Sequence, residues 1–218
     1  MKNEPSIFSE NRPRYAINIL ITILVLIGLY LSFTAKDGET LASRGIGSLK
    51  FFTVDSNILA GAVSAIYLIT KNMKTQVRAI SIMKLVSAAS VGITFFTVVA
   101  FLGPLYGYSN MYHRANFLFH LVVPIMSMLE FILFNRSKLK KTECILCTLP
   151  VLIYGVVYII NLFVNGIDKG DWYGFVNWGF AAGIGIFCVI CLISIILGLL
   201  LRIINDRVLE GYEEKPFL

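Results

Sequence analysis

Six long apolar stretches separated by short polar or glycine-containing segments set the pattern of this chain, near 15–33, 50–70, 80–102, 116–134, 144–164 and 176–201. A helix of about 20 apolar residues crosses a ~30 Å hydrocarbon core, so each stretch predicts one transmembrane helix. The expected fold is an all-α integral membrane protein, a single six-helix transmembrane domain over residues 1–218. The links 71–79 and 135–143 are short and basic, which forces neighbouring helices to pack antiparallel. The segments 34–49, 103–115 and 165–175 are rich in glycine and aromatics, and Tyr106, Tyr108, Tyr112, Trp172 and Tyr173 predict an interfacial belt. Gly179 with Gly183, and Gly61 with Ala65, have the small-xxx-small spacing of close helix contacts. There is no internal repeat and no pair of interrupted helices of the kind that marks many transporters.

Composition agrees with the pattern. Of 218 residues 57% are hydrophobic and 15% charged, and the mean hydropathy is +0.77, far from a soluble domain. The first stretch follows Lys2, Arg12 and Arg14 as a secretory signal would, but the run Tyr15 to Phe33 is too long for one, so a retained helix is expected. With a cytoplasmic amino terminus, 14 of the 19 Lys and Arg fall in inside segments and five, Lys36, Arg44, Lys50, Arg114 and Lys169, fall outside. The positive-inside rule therefore predicts both termini in the cytoplasm. The same asymmetry, facing anionic inner-leaflet lipids, accounts for the net charge of +6. No basic stripe interleaved with stacking aromatics suggests nucleic acid, and none is expected as a partner.

Candidate chemistry lies in a polar run, Thr53-Val54-Asp55-Ser56-Asn57, at the start of the second helix, and in a lone His120 in the fourth. Both helices enter from the outside, and at ~1.5 Å rise per residue both positions lie about one turn in. Thr53, Ser56 and Asn57 share a face at i, i+3 and i+4, whereas Asp55 points elsewhere. Asn116, His120 and Pro124 share another face, and Pro124 has no N–H to give the carbonyl of His120. A hydroxyl and an imidazole at one depth are the minimum for nucleophilic catalysis: His120 accepts the Thr53 proton as the oxygen attacks a carbonyl, then returns it to the leaving alcohol. Asn57, Ser56 or Asn116 can stabilise the oxyanion. The bland alternative is that Thr53 bonds its own helix and His120 bridges two helices.

The segment Leu49-Lys50-Phe51-Phe52-Thr53-Val54-Asp55-Ser56-Asn57-Ile58-Leu59 and the later Phe119-His120-Leu121-Val122-Val123-Pro124 resemble the two signature regions of the androgen-induced family of six-helix membrane hydrolases and its bacterial relatives. The resemblance extends to helix count and to Trp172-Tyr173-Gly174-Phe175-Val176-Asn177-Trp178. It implies that Thr53 and His120 are a catalytic pair cleaving fatty-acid esters of hydroxy fatty acids or related lipid esters, and Asp55-Ser56-Asn57 looks like the bacterial branch. A bacterial plasma membrane follows from the same resemblance, with no ER-retention signal at the carboxyl end.

The expected protein is an intramembrane lipid-ester hydrolase with a cavity towards the outer leaflet, a lipid-ester substrate and no cofactor. Two other classes use the same residues differently: a small-molecule or proton-coupled transporter, or a non-catalytic scaffold. Three roles are open to Asp55: pairing with Arg114 or Lys50, which is expected of an intramembrane acid, orienting His120, or binding polar groups of the substrate. Glu130 reads as structural, within reach of cytoplasmic water or Lys84. Cys144-x-x-Cys147 and Cys188-x-x-Cys191 have zinc-site spacing, but helical rise separates the pairs by ~10–15 Å along the membrane normal, so small apolar packing is expected. His113, placed in a solvated loop, and His120 lack the third ligand of a metal site.

Overall fold

In a computed structural model, which describes residues 12–35, 45–70 and 77–213, six helices are long and apolar enough to cross a membrane. They are α1 (Arg12–Thr34), α2 (Phe52–Thr70), α3 (Arg78–Tyr106), α4 (Ala115–Phe134), α5 (Lys141–Asn165) and α6 (Phe180–Gly211, continuing to Glu213). No strand occurs among the described residues. The chain is thus a multi-pass integral membrane protein. Most of the predicted link 71–79, and residues 36–44 of the first inter-helix segment, lie outside the described residues. For orientation, the upper end of the bundle is where α2 and α4 begin, and the lower end is where α3 and α5 begin.

The predicted boundaries shift most at the sixth helix. It starts at Phe180 rather than 176, because Gly174 (φ 69°) and Gly179 (φ 91°) turn the chain in a region that favours glycine. Gly179 is therefore not part of a helix-packing motif. Gly183 instead lies beneath the loop, where a Cβ would meet Val176 Cγ1 at 3.0 Å. The helix also runs past 201, because Asn205 is buried and donates to the carbonyls of Ile132 and Asn135 at 2.9 and 3.0 Å, which docks a polar extension onto the end of α4.

The central helix is α3, packed by α2, α4 and α6. It can sit there because its buried face is built of small residues, Ser81, Ser87, Ala88, Ala89 and Ser90, over which neighbouring backbones approach closely. Glycines do the same elsewhere. Gly28 of α1 lies under Phe119, whose ring would come within 2.3 Å of an added Cβ, and Gly61 of α2 lies against Val25. Cys144 and Cys147, both fully buried, pack on Gly198 of α6 as the sequence reading expected of them.

Three layers stack along α1 to α4. An upper polar layer holds Ser56, Asn57, Thr94 and His120. Below it lies an apolar layer of Ile21, Val25, Ala60, Val91 and Val123. Beyond it, past the buried Ser87, Ser90 and Ser127, comes a charged layer. There Glu130, with no exposed surface, accepts from Arg14 Nε at 2.8 Å and Asn18 Nδ2 at 3.1 Å and faces Lys84 Nζ at 3.5 Å. Lys84 also donates to Ser64 Oγ at 3.0 Å and to Asn18 Oδ1. Glu130 thus pairs with Lys84 as the sequence suggested, but it does not reach water. Arg14, expected only as a charge flanking the first helix, and Asn18 complete its shell. At the lower rim, Glu143 takes a fork of bonds from Arg78, at 3.0, 2.8 and 2.9 Å, tying α3 to α5.

Candidate active site

The site is built around a local defect in α4. Pro124 cannot donate a hydrogen bond, and the helix accommodates it with a π turn over Leu118–Val122, in which the Val123 N–H bonds the carbonyl of Leu118. The consequence falls one residue from where the sequence placed it. The donor normally due to the Phe119 carbonyl, Val123 N–H, is taken by Leu118, and the next position is the proline. Asn57 of α2 fills the gap: its Nδ2 donates to the Phe119 carbonyl at 3.0 Å and to the Thr53 carbonyl at 2.7 Å. One amide therefore clamps the residue before His120 to Thr53 itself. In Asn57→Leu both buried carbonyls lose that donor, which should cost about 1–3 kcal/mol and appear as a lowered unfolding midpoint in detergent, with slower reaction of Thr53 towards any hydroxyl-directed reagent.

His120 is 8% exposed. Its Nδ1 lies 2.7 Å from the carbonyl of Met111. A carbonyl only accepts, so Nδ1 carries the proton and Nε2 keeps its lone pair. The chain reaches this contact by reversing just before α4 through Arg114, a non-glycine residue at φ 51° and ψ −123°. The carbonyl of Met111 thus takes the orienting role that Asp55 was a candidate for.

Thr53 is the second residue of α2, and its hydroxyl has no hydrogen-bond partner among the described residues. Four helical threonines behave differently: Thr22, Thr34 and Thr70 donate to the carbonyl four residues back, and Thr148 to the one three back, while Thr97, which lines the same cavity, and Thr142 share the unbonded state of Thr53 among the described residues. For Thr53 the carbonyl four back belongs to Leu49, in the 3-10 turn Gly45–Lys50 that precedes the helix. Its position at the helix start is what keeps the hydroxyl from its own backbone.

Thr53, Asn116 and His120 line one cavity of ≈ 1070 Å³, slightly beyond the roughly 300–1,000 Å³ of ordinary ligand pockets. The other proposed polar residues do not line it. Ser56 Oγ is held by the Thr53 carbonyl at 3.1 Å and Thr94 Oγ1 at 3.2 Å, and both Asn57 amide hydrogens are committed to carbonyls, so neither is a free oxyanion donor. Asp55 has no ion pair among the described residues, and its electrostatic neighbours are the phenols of Tyr154 and Tyr173. It stands in the first turn of α2, where the helix dipole favours a negative charge without a cationic partner.

Aromatic side chains roof the cavity. Tyr154 of α5 donates to the Lys50 carbonyl at 2.6 Å and accepts from Trp172 Nε1 at 3.0 Å, while the Tyr173 hydroxyl accepts from the Phe52 N–H at 3.0 Å. Asp171 holds the loop in shape, accepting from the N–H groups of Phe175 and Val176 at 2.9 and 3.0 Å and from the Tyr158 hydroxyl. Loss of hydration among these rings pushes the Tyr173 phenol up, so it stays neutral and available as a hydrogen-bonding group. Trp172 and Tyr173 therefore close the site, and Tyr106 also lines it although 58% exposed, whereas Tyr108, 46% exposed, donates its hydroxyl to the Val99 carbonyl at 2.8 Å. Below the roof the walls are apolar, with Phe101, Leu162, Phe163, Ile184, Phe187 and Ile190. Phe187 seats on Gly155, where α5 and α6 meet: an added Cβ would lie 2.3 Å from its ring. No group of three His, Cys, Asp or Glu side chains able to hold a metal ion occurs among the described residues.

A free hydroxyl and a carbonyl-oriented imidazole on one apolar cavity can carry out acyl transfer. Comparison of the chain with known protein families, with curated proteins and with solved structures finds no match.

Proposed function

We propose that this protein is an intramembrane hydrolase of lipid esters, with Thr53 as nucleophile and His120 as general base and then general acid. The observation that carries this reading is that the Thr53 hydroxyl, unbonded among the described residues, lines the same cavity as a histidine whose Nδ1 is already committed.

In the proposed reaction His120 Nε2 takes the Thr53 proton as Oγ1 bonds the ester carbonyl carbon, and the carbonyl π electrons move onto oxygen. Collapse breaks the bond to the alcohol oxygen, which receives the proton from His120. Water then attacks the acyl-threonine by the same route in reverse roles, releasing the acid. Asn116, which lines the cavity and sits one turn before His120, is the side chain we assign to substrate or oxyanion contact. The apolar walls suit acyl chains, so the substrate we propose is a fatty-acid ester of a hydroxy fatty acid or a related lipid ester. The resemblance of the two polar segments to the androgen-induced family points the same way. In this reading the upper end faces outward, both termini are cytoplasmic, and the membrane is a bacterial plasma membrane.

A fluorophosphonate probe on the purified protein tests the proposal. Labelling mapped to Thr53 in the wild type, retained in Thr70→Val and lost in His120→Ala at matched folding, is expected. Absence of labelling in a folded wild type, with no turnover of long-chain esters, would overturn it.

A further inference from the structure

A helix start leaves its first amides without intrahelical acceptors, and in α2 their partners are known one by one. Phe52 N–H donates to the Tyr173 hydroxyl at 3.0 Å. Val54 and Asp55 N–H turn back to the Phe51 carbonyl at 2.9 and 3.3 Å. The N–H of Thr53 has no acceptor among the described residues. The cause is in the sequence: the residue before the helix is Phe51, which has no side-chain oxygen, whereas a Ser, Thr, Asp or Asn there would cap an amide at this position. A 19-residue helix therefore presents an uncapped amide at its positive end beside the Thr53 hydroxyl.

A second, independent feature points to a ligand there. His120, more than nine-tenths buried, lines the same cavity with no partner on Nε2. The base that removes the Thr53 proton and the amide that can receive the resulting negative oxygen belong to one enclosure, and Asp55, whose charge would oppose that oxygen, does not line it.

We propose that the backbone N–H of Thr53 is an oxyanion donor of this site: it binds the negatively charged oxygen of the tetrahedral adduct formed on its own side chain. The inference rests on the hydrolase reading above and adds to it a donor that no side-chain substitution can remove. The ligand class is any tetrahedral oxyanion covalently held by Thr53 Oγ1: an ester adduct, or a boronate in which Oγ1 bonds boron, the hydroxyl proton passes to His120 and boron becomes four-coordinate and anionic. Pre-aligned amide donors of this kind act strongly in water-poor sites, where each oxyanion contact is worth about a hundredfold or more in rate.

The test uses the full chain in detergent micelles, labelled with 15N-threonine, and decylboronic acid as the probe. The Thr53 amide signal is assigned by its loss in Thr53→Ser, and boron coordination is followed by 11B resonance. The expected result is a four-coordinate boron signal accompanied by a large downfield move of the Thr53 amide proton, with the Thr70 amide unmoved. Four-coordinate boron on Thr53 with its amide in place would overturn the oxyanion assignment and leave the hydrolase reading standing. No boronate adduct in a folded protein would count against the nucleophile itself and remove both.

Discussion

Thr53→Ala should abolish turnover of a long-chain lipid ester, by at least about a thousandfold, because the acyl-enzyme route has no other attacking atom. His120→Ala should fall by a similar factor, and the double variant should be no worse than either, as expected when two groups act as one unit. Thr53→Ser retains hydroxyl, amide and helix position and should keep turnover measurable. These values come from hydrolysis of a fatty-acid ester of a hydroxy fatty acid in mixed micelles, with folding checked for each variant by its unfolding midpoint. The Thr53 hydroxyl is unpartnered, so Thr53→Ala should leave stability nearly unchanged, whereas His120→Ala also removes the bond to the Met111 carbonyl. A scaffold makes the opposite prediction, in which no turnover exists to lose and the effect of the substitutions is on folding alone. Losses that simply multiply in the double variant would argue that the two residues act separately.

The largest expected effect on stability is at the other end of the bundle. Glu130→Ala leaves Arg14 and Lys84 buried without their carboxylate, and breaking a buried ion pair from one side costs about 3–5 kcal/mol. Thermal or denaturant unfolding in detergent should show Glu130→Ala as the least stable of the variants considered, with Glu130→Gln intermediate because its amide oxygen still accepts from Arg14 and Asn18. Replacing all three charges together, Arg14→Met, Lys84→Met and Glu130→Leu, should recover most of the lost stability, since apolar packing often substitutes for a buried charge cluster. The functional readout separates two classes of protein. If this layer is structural, the triple variant still hydrolyses ester. If it were part of a proton or solute route, the refolded triple variant would lose function despite recovered stability. The hydrolase reading, in which the chemistry lies at the other end of the bundle, expects the first outcome.

The two layers were unequally legible. The upper one was announced by residues that are conspicuous in their setting: a threonine with polar followers at a helix start, and a histidine four residues before a proline. Thr53 and His120 meet on one cavity, yet Ser56 and Asn57, equally polar and on the expected face, serve the backbone instead. The difference is not readable from residue type, because it depends on the π turn that Pro124 induces and on which carbonyl that turn strands. The charged layer was half legible. Glu130 and Lys84 stand out in apolar stretches, but Arg14 reads as a flanking charge of the first helix, and Arg14 and Glu130 lie 116 residues apart in the chain. Lys84, counted among the inside charges that set orientation, is instead buried in the bundle at 4% exposure.

By itself, the sequence determined the number of membrane helices, nearly all of their limits, and which hydroxyl starts a helix, since these follow from local quantities: the length of apolar chain that matches a hydrocarbon core, and the few residues that begin or interrupt a helix. Tertiary structure alone decided the tautomer of His120, through the carbonyl of Met111, the clamp of Asn57 on two carbonyls, and the conversion of Trp172 and Tyr173 from belt residues into a roof. The physical reason is common to all three: each depends on a backbone group, and every residue carries the same backbone, so only the folded chain reveals which carbonyl or amide is left without a helical partner and which side chain arrives to meet it.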